Sequence, residues 1–386
     1  MWVRLAKERL RQLWKQFPAV LILGARQAGK TTLARQQFPD IPYCDLEEPS
    51  LRQLFTSDPT FQIERRARPA LILDEAQAVP DVFASLRGLI DKHRSQKGRF
   101  LLLGSAQHSL VRQVSESLAG RVAVLELDPL TVAETGTGSE PRTWEEVWLR
   151  GGFPDALRGL FREWWEAYLR TYVERDLPHL GVSADPLLLR RLLTMLAHSQ
   201  SALMNASQFG NSLGVSYHTV RRYLDILEQS FLLRRLPPYF LNVGKRLTKS
   251  PKVYLRDTGL LHHLLNIGSI EELESHPIRG ASWETFVIED LIRREKLRHP
   301  HSQFYFWRTA AGAEVDLVIE RGTKRFAIEV KAGRGDKQHL ARVLEQAAAD
   351  LKASQVWILD QAEGTEPLRP KVERRSWPEN SDWLPE

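Results

Sequence analysis

The sequence predicts an α/β protein in which a parallel sheet layered with helices is followed by a helical middle and then by a second αβ unit. Three observations predict it. Short apolar runs alternate with amphipathic helical stretches over residues 17–128, the pattern turns helical after residue 155, and strand-like runs return only beyond residue 303.

The elements follow in order. Residues 1–17 alternate apolar side chains with Arg and Lys at helical spacing and lack the apolar core and small-residue cleavage site of a signal peptide, so they read as a surface helix of a cytoplasmic protein. Segments 19–23, 42–46, 70–73, 100–103 and 122–127 are short and almost continuously apolar, as strands buried on both faces are. Gly136, Gly138 and Pro141, then the turn Gly151-Gly152-Phe153-Pro154, interrupt the pattern and put a boundary between 130 and 155. The Pro237-Pro238 pair closes the helical middle. A helix around 283–297 opens the last unit, with strands at 304–308, 314–320 and 325–331 and a further helix. The expected division is therefore 1–135, 150–240 and 245–362, with an acidic, proline-containing tail over 363–386 that should pack poorly.

Bulk composition narrows the function classes. The 386 residues leave room for two or three domains, and 42% apolar with 26% charged residues describes a soluble globular chain. No run of 18 apolar residues offers a membrane span. One cysteine, Cys44, excludes an internal disulfide, and no Cys/His spacing suggests zinc. The net charge is +6, and 40 of the 54 basic residues are arginine, whose planar fork suits phosphate. That composition leans towards nucleic acid, although an arginine-rich codon usage gives the same scatter.

Gly24-Ala25-Arg26-Gln27-Ala28-Gly29-Lys30-Thr31 fits the pattern G-x-x-x-x-G-K-[ST] and sits between an apolar strand and a helical stretch that continues with Thr32. The two glycines let the backbone curl its N–H groups towards phosphate, Lys30 neutralises the outer phosphates, and the Thr31 hydroxyl ligates Mg²⁺. ATP and Mg²⁺ are the expected cofactors. The strand at 70–73 runs into Asp74 and Glu75, the first placed to hold the Mg²⁺ shell and the second to polarise an attacking water. Ser105, ending the next strand, is a polar sensor candidate beside the outer phosphate, and Arg121 is either an arginine finger or an ordinary surface residue.

Residues 207–227 read as two helices about the turn Gly214-Val215. Phe209, Leu213, Val215, Val220, Leu224 and Leu227 would pack inward, leaving Tyr217, His218, Arg221 and Arg222 outward on a recognition-type helix. The following stretch could form a β wing that brings Arg234 and Arg235 near a DNA backbone. In the last unit Asp316 lies among apolar neighbours, and the period of two puts Glu329 and Lys331 on one strand face. With Glu284 from the preceding helix they would make a Mg²⁺ site beside a cation, suited to phosphodiester hydrolysis by Asp316, Glu329 and Lys331. Surface ion pairs at strand ends account for the same residues.

Taken together, segments 24–32, 71–77, 103–106, 117–121, 168–180, 221–238, 245–261, 280–287 and 306–331 resemble a large prokaryotic family of AAA+-like P-loop ATPases that carry a C-terminal domain of unknown function with a nuclease-like core. Residues 168–176 and 252–260 are the most family-specific. The resemblance implies an AAA-type domain, a winged-helix middle and a restriction-endonuclease-like end, with Arg170 or Arg175 as further cations for the nucleotide. The expectation is an ATP-driven protein acting on DNA. A DNA remodelling motor that does not cut, and a nucleotide-dependent switch binding a protein partner, are the alternatives, and a homo-oligomer is compatible with each.

Overall fold

The computed structural model describes residues 2–105, 114, 116–177, 185–240, 250–309, 312–333 and 337–378, apart from the side chains of Arg175 and Asp176. Helix Ala6–Gln16 leads into the first sheet, whose strands are β1 (Ala19–Gly24), β2 (Tyr43–Asp45), β3 (Leu71–Asp74), β4 (Phe100–Ser105) and β5 (Val122–Glu126). All pair in parallel, in the order β2-β3-β4-β1-β5. Alternation explains their continuous apolarity. Leu21, Leu71, Leu73 and Leu102 face a core shared with Phe55, Phe83 and Leu86, while Val20, Ile22, Ile72 and Leu101 face Leu10, Leu13 and Leu33 on the other side. Parallel strands end together, so Gly24, Asp74 and Ser105 stand along one edge, where ligands of open α/β sheets bind.

The middle is helical: Trp144–Arg150, Pro154–Arg158, Phe161–Thr171 with a π-helical extension Tyr172–Asp176, Pro186–His198, Ala206–Leu213 and Tyr217–Gln229. Gly214, in the left-handed region, ends the fifth of these, and the Ser216 hydroxyl caps the sixth by accepting from the Thr219 N–H at 3.1 Å. Next, β6 (Leu233–Leu236) pairs antiparallel with β7 (Lys252–Leu255), and Leu203 bridges to Lys252. Helix Thr258–Leu264 then returns to the middle helices.

Helix Arg279–Arg298 covers one face of a mixed sheet of β8 (Gln303–Arg308), β9 (Glu314–Arg321), β10 (Lys324–Val330), β11 (Gln355–Asp360), β12 (Thr365–Arg369) and β13 (Val372–Ser376), ordered β12-β13-β11-β10-β9-β8. Helix Lys337–Leu351 packs on the other face. Over 363–378 the expected poorly packed tail is instead an inner strand and its neighbour, β13 pairing with β11 and Trp377 buried, and residues 379–386 lie outside the described residues. The buried face of β13, Val372, Arg374 and Ser376, is disguised by charge, because Arg374 is taken inside by Asp360 at 3.1 Å.

One continuous core joins the middle helices to the last sheet. At its centre Trp148 lies 5.2 Å from Trp283, which lies 5.4 Å from Trp377, with Phe286 5.1 Å from Trp377. Leu297 packs on the apolar core of the first sheet, and beside it the contact is polar and ionic. Arg256, just past β7, pairs with Glu126 at 2.8 Å, with Asp128, and with Glu289 of helix Arg279–Arg298 at 3.5 Å. Lys296 reaches Glu126 at 2.9 Å, and Arg234 donates to Glu289. Asp257 accepts from the Gly152 N–H at 2.8 Å and Asp290 from the Val132 N–H at 2.9 Å. The turn at 151–154, which reads in the sequence as a divider, is clamped at this junction.

Candidate nucleotide site and a second carboxylate cluster

Gly24 closes β1 where the Leu127 carbonyl passes so near that a Cβ would lie 2.2 Å from it, so only glycine fits. Gly29 begins helix Lys30–Gln37 at φ 96, a backbone state that glycine adopts without strain. Between them the chain curls around the buried Lys30, whose ammonium donates to the carbonyls of Gly24 at 3.1 Å and Ala25 at 2.9 Å. Burial lowers its pKa, against the pull of Glu75 and Asp74. Thr31 Oγ1 donates to Asp74 Oδ2 at 2.7 Å, and the Tyr43 hydroxyl donates to the same oxygen at 2.7 Å. Burial, then this hydrogen bond, raises the Tyr43 pKa, keeping the phenol protonated.

Glu75 sits at φ 48, off the end of β3, where its carboxylate accepts from Gln77 and, at 3.4 Å, from Ser105. Burial raises its pKa, with Lys30 opposing. The structure thus brings Lys30, Thr31, Asp74, Glu75 and Ser105 to one edge, as their spacing requires. Arg26, Gln27, Gly29, Lys30, Thr31, Thr32, Asp74 and Glu75 line a cleft of about 380 Å³. Arg121 is at the opposite edge of the sheet, in a two-pronged ion pair with Asp91 at 2.9 Å. Arg170 is exposed on the middle helices, and the Arg175 side chain lies outside the described residues.

Five contributors to the cleft were not legible in the motif. Trp2 and Arg4 enter from the amino-terminal segment and Pro154, Asp155 and Arg158 from the middle helices. Arg4 donates to the Ala28 carbonyl at 2.9 Å and pairs with the buried Glu134 at 3.1 Å, tying the loop to the start of the middle region. The Arg158 guanidinium lies over the Trp2 ring at 4.5 Å. These are long-range pairings, and single arginines leave no local signature in a sequence.

Tyr217, His218, Arg221 and Arg222 are exposed on one helix, with Arg221 over the Tyr217 ring at 5.8 Å. Arg234 and Arg235 differ from expectation. The first is held by buried Glu289 and the second by Glu228 and by Asp225 at 2.8 Å, so their charge is spent within the fold.

At the last sheet, Asp316 and Glu284 come together, but around a cation the motif did not include. Lys252 of β7 places its ammonium 3.0 Å from Asp316 Oδ1 and 3.1 Å from Glu284 Oε1, and pairs also with Glu314. The Tyr254 hydroxyl donates to Glu284 Oε1 at 2.8 Å, and the Val330 N–H to Asp316 Oδ2 at 3.0 Å. Glu329 lies at the margin, its Oε1 taking the Lys331 ammonium at 2.6 Å and its Oε2 buried without a hydrogen-bond partner. Burial, and then the charge of Asp316, pushes Glu284 up to about 7 and Glu329 well above the carboxylate range. Among the described residues, no three His, Cys, Asp or Glu side chains form a group that could hold a metal ion. Alternation along β7 puts Lys252 and Tyr254 on one face, a signal present in the sequence.

Comparison with known proteins places an AAA domain at residues 16–136 and domains of unknown function at 141–271 (DUF8612) and 279–371 (DUF4143). The chain is 40% identical over 373 residues to the uncharacterized proteins Rv2008c of Mycobacterium tuberculosis and Mb2031c of Mycobacterium bovis, covering 95% of this chain and 82% of each relative. An uncharacterized Haemophilus influenzae protein is 25% identical over 214 residues, half of either chain. Among solved structures, the Walker-type ATPase PABY2304 of Pyrococcus abyssi aligns over 67% of this chain and 94% of its own, at 15% identity and a TM-score of 0.47.

Proposed function

This chain belongs to the family of those mycobacterial proteins, and on that premise we propose that it binds and hydrolyses ATP at residues 24–32 and acts on DNA through the parts that follow. The Thr31–Asp74 contact carries the reading. A hydroxyl and a carboxylate from separate elements meet at 2.7 Å beside a curled glycine loop and line the same cleft. Their oxygens are the hard donors that Mg²⁺ takes, so Thr31 and Asp74 would hold the ion that neutralises phosphate charge. Lys30, now hydrogen-bonded to loop carbonyls, would turn its ammonium to the outer phosphates. Glu75, a stronger proton acceptor for being buried, would orient the attacking water, with Ser105 and Gln77 fixing its carboxylate.

The DNA-facing part is the helix bearing Tyr217, His218, Arg221 and Arg222, which in our reading is the recognition helix of a winged-helix unit with β6 and β7 as its wing. The Arg256 cluster links the end of β5, next to the nucleotide loop, with β7 and helix Arg279–Arg298, and we assign it the coupling of hydrolysis to the placement of these parts. The last sheet is read as nuclease-like, with Asp316, Glu329 and Lys331 in the positions of a cutting site. A second reading, in which that sheet serves DNA binding without cleavage, is favoured by Lys252 amid its carboxylates.

Mg²⁺-dependent ATP hydrolysis of the native chain and of Lys30→Ala, with and without single-stranded, duplex and branched DNA, tests the proposal. DNA should stimulate hydrolysis, and Lys30→Ala should abolish it. Hydrolysis indifferent to every DNA, with no DNA retained at low salt, would replace it with a nucleotide-dependent switch that binds a protein partner.

A further inference from the structure

We infer that Lys252 is the resident cation of the carboxylate cluster on β9 and β10, so that the native chain carries out no divalent-ion-dependent cleavage there, and that removing this one ammonium uncovers a site for Mg²⁺ or Mn²⁺. The inference deepens the nuclease-like reading above and rests on it only for the comparison with a cutting site.

The ammonium has the coordination that an ion would otherwise require. Its three donors match three carboxylates, Asp316, Glu284 and Glu314, with Asp316 Oδ1 at 3.0 Å and Glu284 Oε1 at 3.1 Å. That spacing suits N–H···O bonds, whereas Mg²⁺ draws oxygens to about 2.0–2.1 Å. Its carrier strand is fixed as well. β7 pairs along its length with β6, Leu203 bridges to Lys252 itself, and the next residues, Arg256 and Asp257, are locked in the interdomain junction. The Lys252 side chain is 3% exposed, so it cannot vacate the cluster by a rotamer change into solvent.

The cluster also keeps unused capacity for a cation. Four carboxylates, Glu284, Glu314, Asp316 and Glu329, converge on two lysines, with Arg308 reaching Glu314 from the rim at 3.3 Å. Glu329 Oε2 is left buried with no donor, an acceptor of the kind a divalent ion would use. With Lys252 in place these carboxylates form no metal-holding group among the described residues, and the space between them is filled by the chain's own ammonium.

The test uses the full-length chain without nucleotide, as native protein, Lys252→Met and Lys252→Ala, each with and without Asp316→Asn. Melting midpoints are compared in EDTA and in Mn²⁺, and supercoiled DNA is inspected for nicks. In the native chain Mn²⁺ should give no shift and no nicking that Asp316→Asn removes. Both Lys252 variants should melt lower in EDTA and recover by several degrees in Mn²⁺, the recovery vanishing with Asp316→Asn. Mn²⁺ stabilisation or nicking by the native chain that depends on Asp316 would overturn the inference, as would folded Lys252 variants that ignore Mn²⁺. Should neither variant fold, Mn²⁺ binding by the native chain, compared with its Asp316→Asn form, decides alone: Asp316-dependent binding overturns it and equal binding upholds it. The readout needs neither ATP nor DNA stimulation, so failure of the proposed function and failure of this inference are told apart.

Discussion

Replacing Arg256 by alanine probes the junction through which the nucleotide sheet meets the rest of the chain. The guanidinium is buried and shared by Glu126, Asp128 and Glu289. Its loss does not strand all three. Glu126 retains Lys296 at 2.9 Å and Glu289 retains Arg234 at 3.0 Å, whereas for Asp128 the pair with Arg256 is its only ion pair among the described residues. Truncating one partner of a buried pair costs about 3–5 kcal/mol, and one uncompensated carboxylate, 10% exposed, puts this case near about 3 kcal/mol. That is a shift of about a hundredfold in the folding equilibrium. Urea titration followed by tryptophan emission measures it, and Asp128→Asn added to Arg256→Ala should restore a substantial part. A cost below about 1 kcal/mol, as for a surface ion pair, or no rescue by Asp128→Asn, would refute the account of the junction as a buried ionic joint.

Two further outcomes follow from groups described by the structure. His262 is buried, its Nδ1 facing the Leu149 carbonyl at 2.8 Å and its Nε2 facing the Ser282 hydroxyl at 2.7 Å, and the Ser282 oxygen accepts from the Trp148 indole N–H at 2.9 Å. Burial lowers its pKa to about 4, so between about 6.5 and 4 the unfolded chain binds a proton that the folded chain refuses. Stability should fall as pH drops through that window, by at most about 1.4 kcal/mol per unit from this residue, and His262→Gln should flatten the slope in pH-dependent urea titrations. Replacing Arg221 and Arg222 by alanine should weaken DNA binding and reduce the dependence of log affinity on log salt by about 0.9 for each phosphate no longer neutralised, read by fluorescence anisotropy. An unchanged slope would move the DNA interface away from this helix.

The nucleotide edge was legible because it is built locally. The loop at 24–31 and the pair Asp74–Glu75 each belong to one strand and its turn, and parallel pairing brings strand ends together whatever the loops between them do. The helices about Gly214 were legible for the same reason. What the sequence concealed depends on partners far along the chain. Arg234 looks like any exposed arginine until Glu289, 55 residues on, claims it, and Arg4 with Glu134 spans 130 residues. The strand at Val372–Ser376 was hidden because its inward positions include an arginine that only a buried Asp360 makes tolerable. Lys252 was hidden differently. A lysine in an apolar strand suggests an edge, and its three carboxylates come from a helix and a strand of another sheet.

The nest of Trp148, Trp283, Trp377 and Phe286 gives the chain an optical readout of its own assembly. Indoles held at 5.2 and 5.4 Å in fixed edge-on pairs couple their transitions, and the chirality of that arrangement belongs to the contact between the middle helices and the last sheet. Near-ultraviolet circular dichroism should therefore carry a contribution from this contact, beside that of the Trp164–Trp165 pair at 4.8 Å within the middle helices, while the far-ultraviolet spectrum follows the secondary structure. A ligand or substitution that loosens the last sheet from the middle without melting either would lower the first signal and spare the second, so titration by ATP or DNA can be followed without attaching any dye.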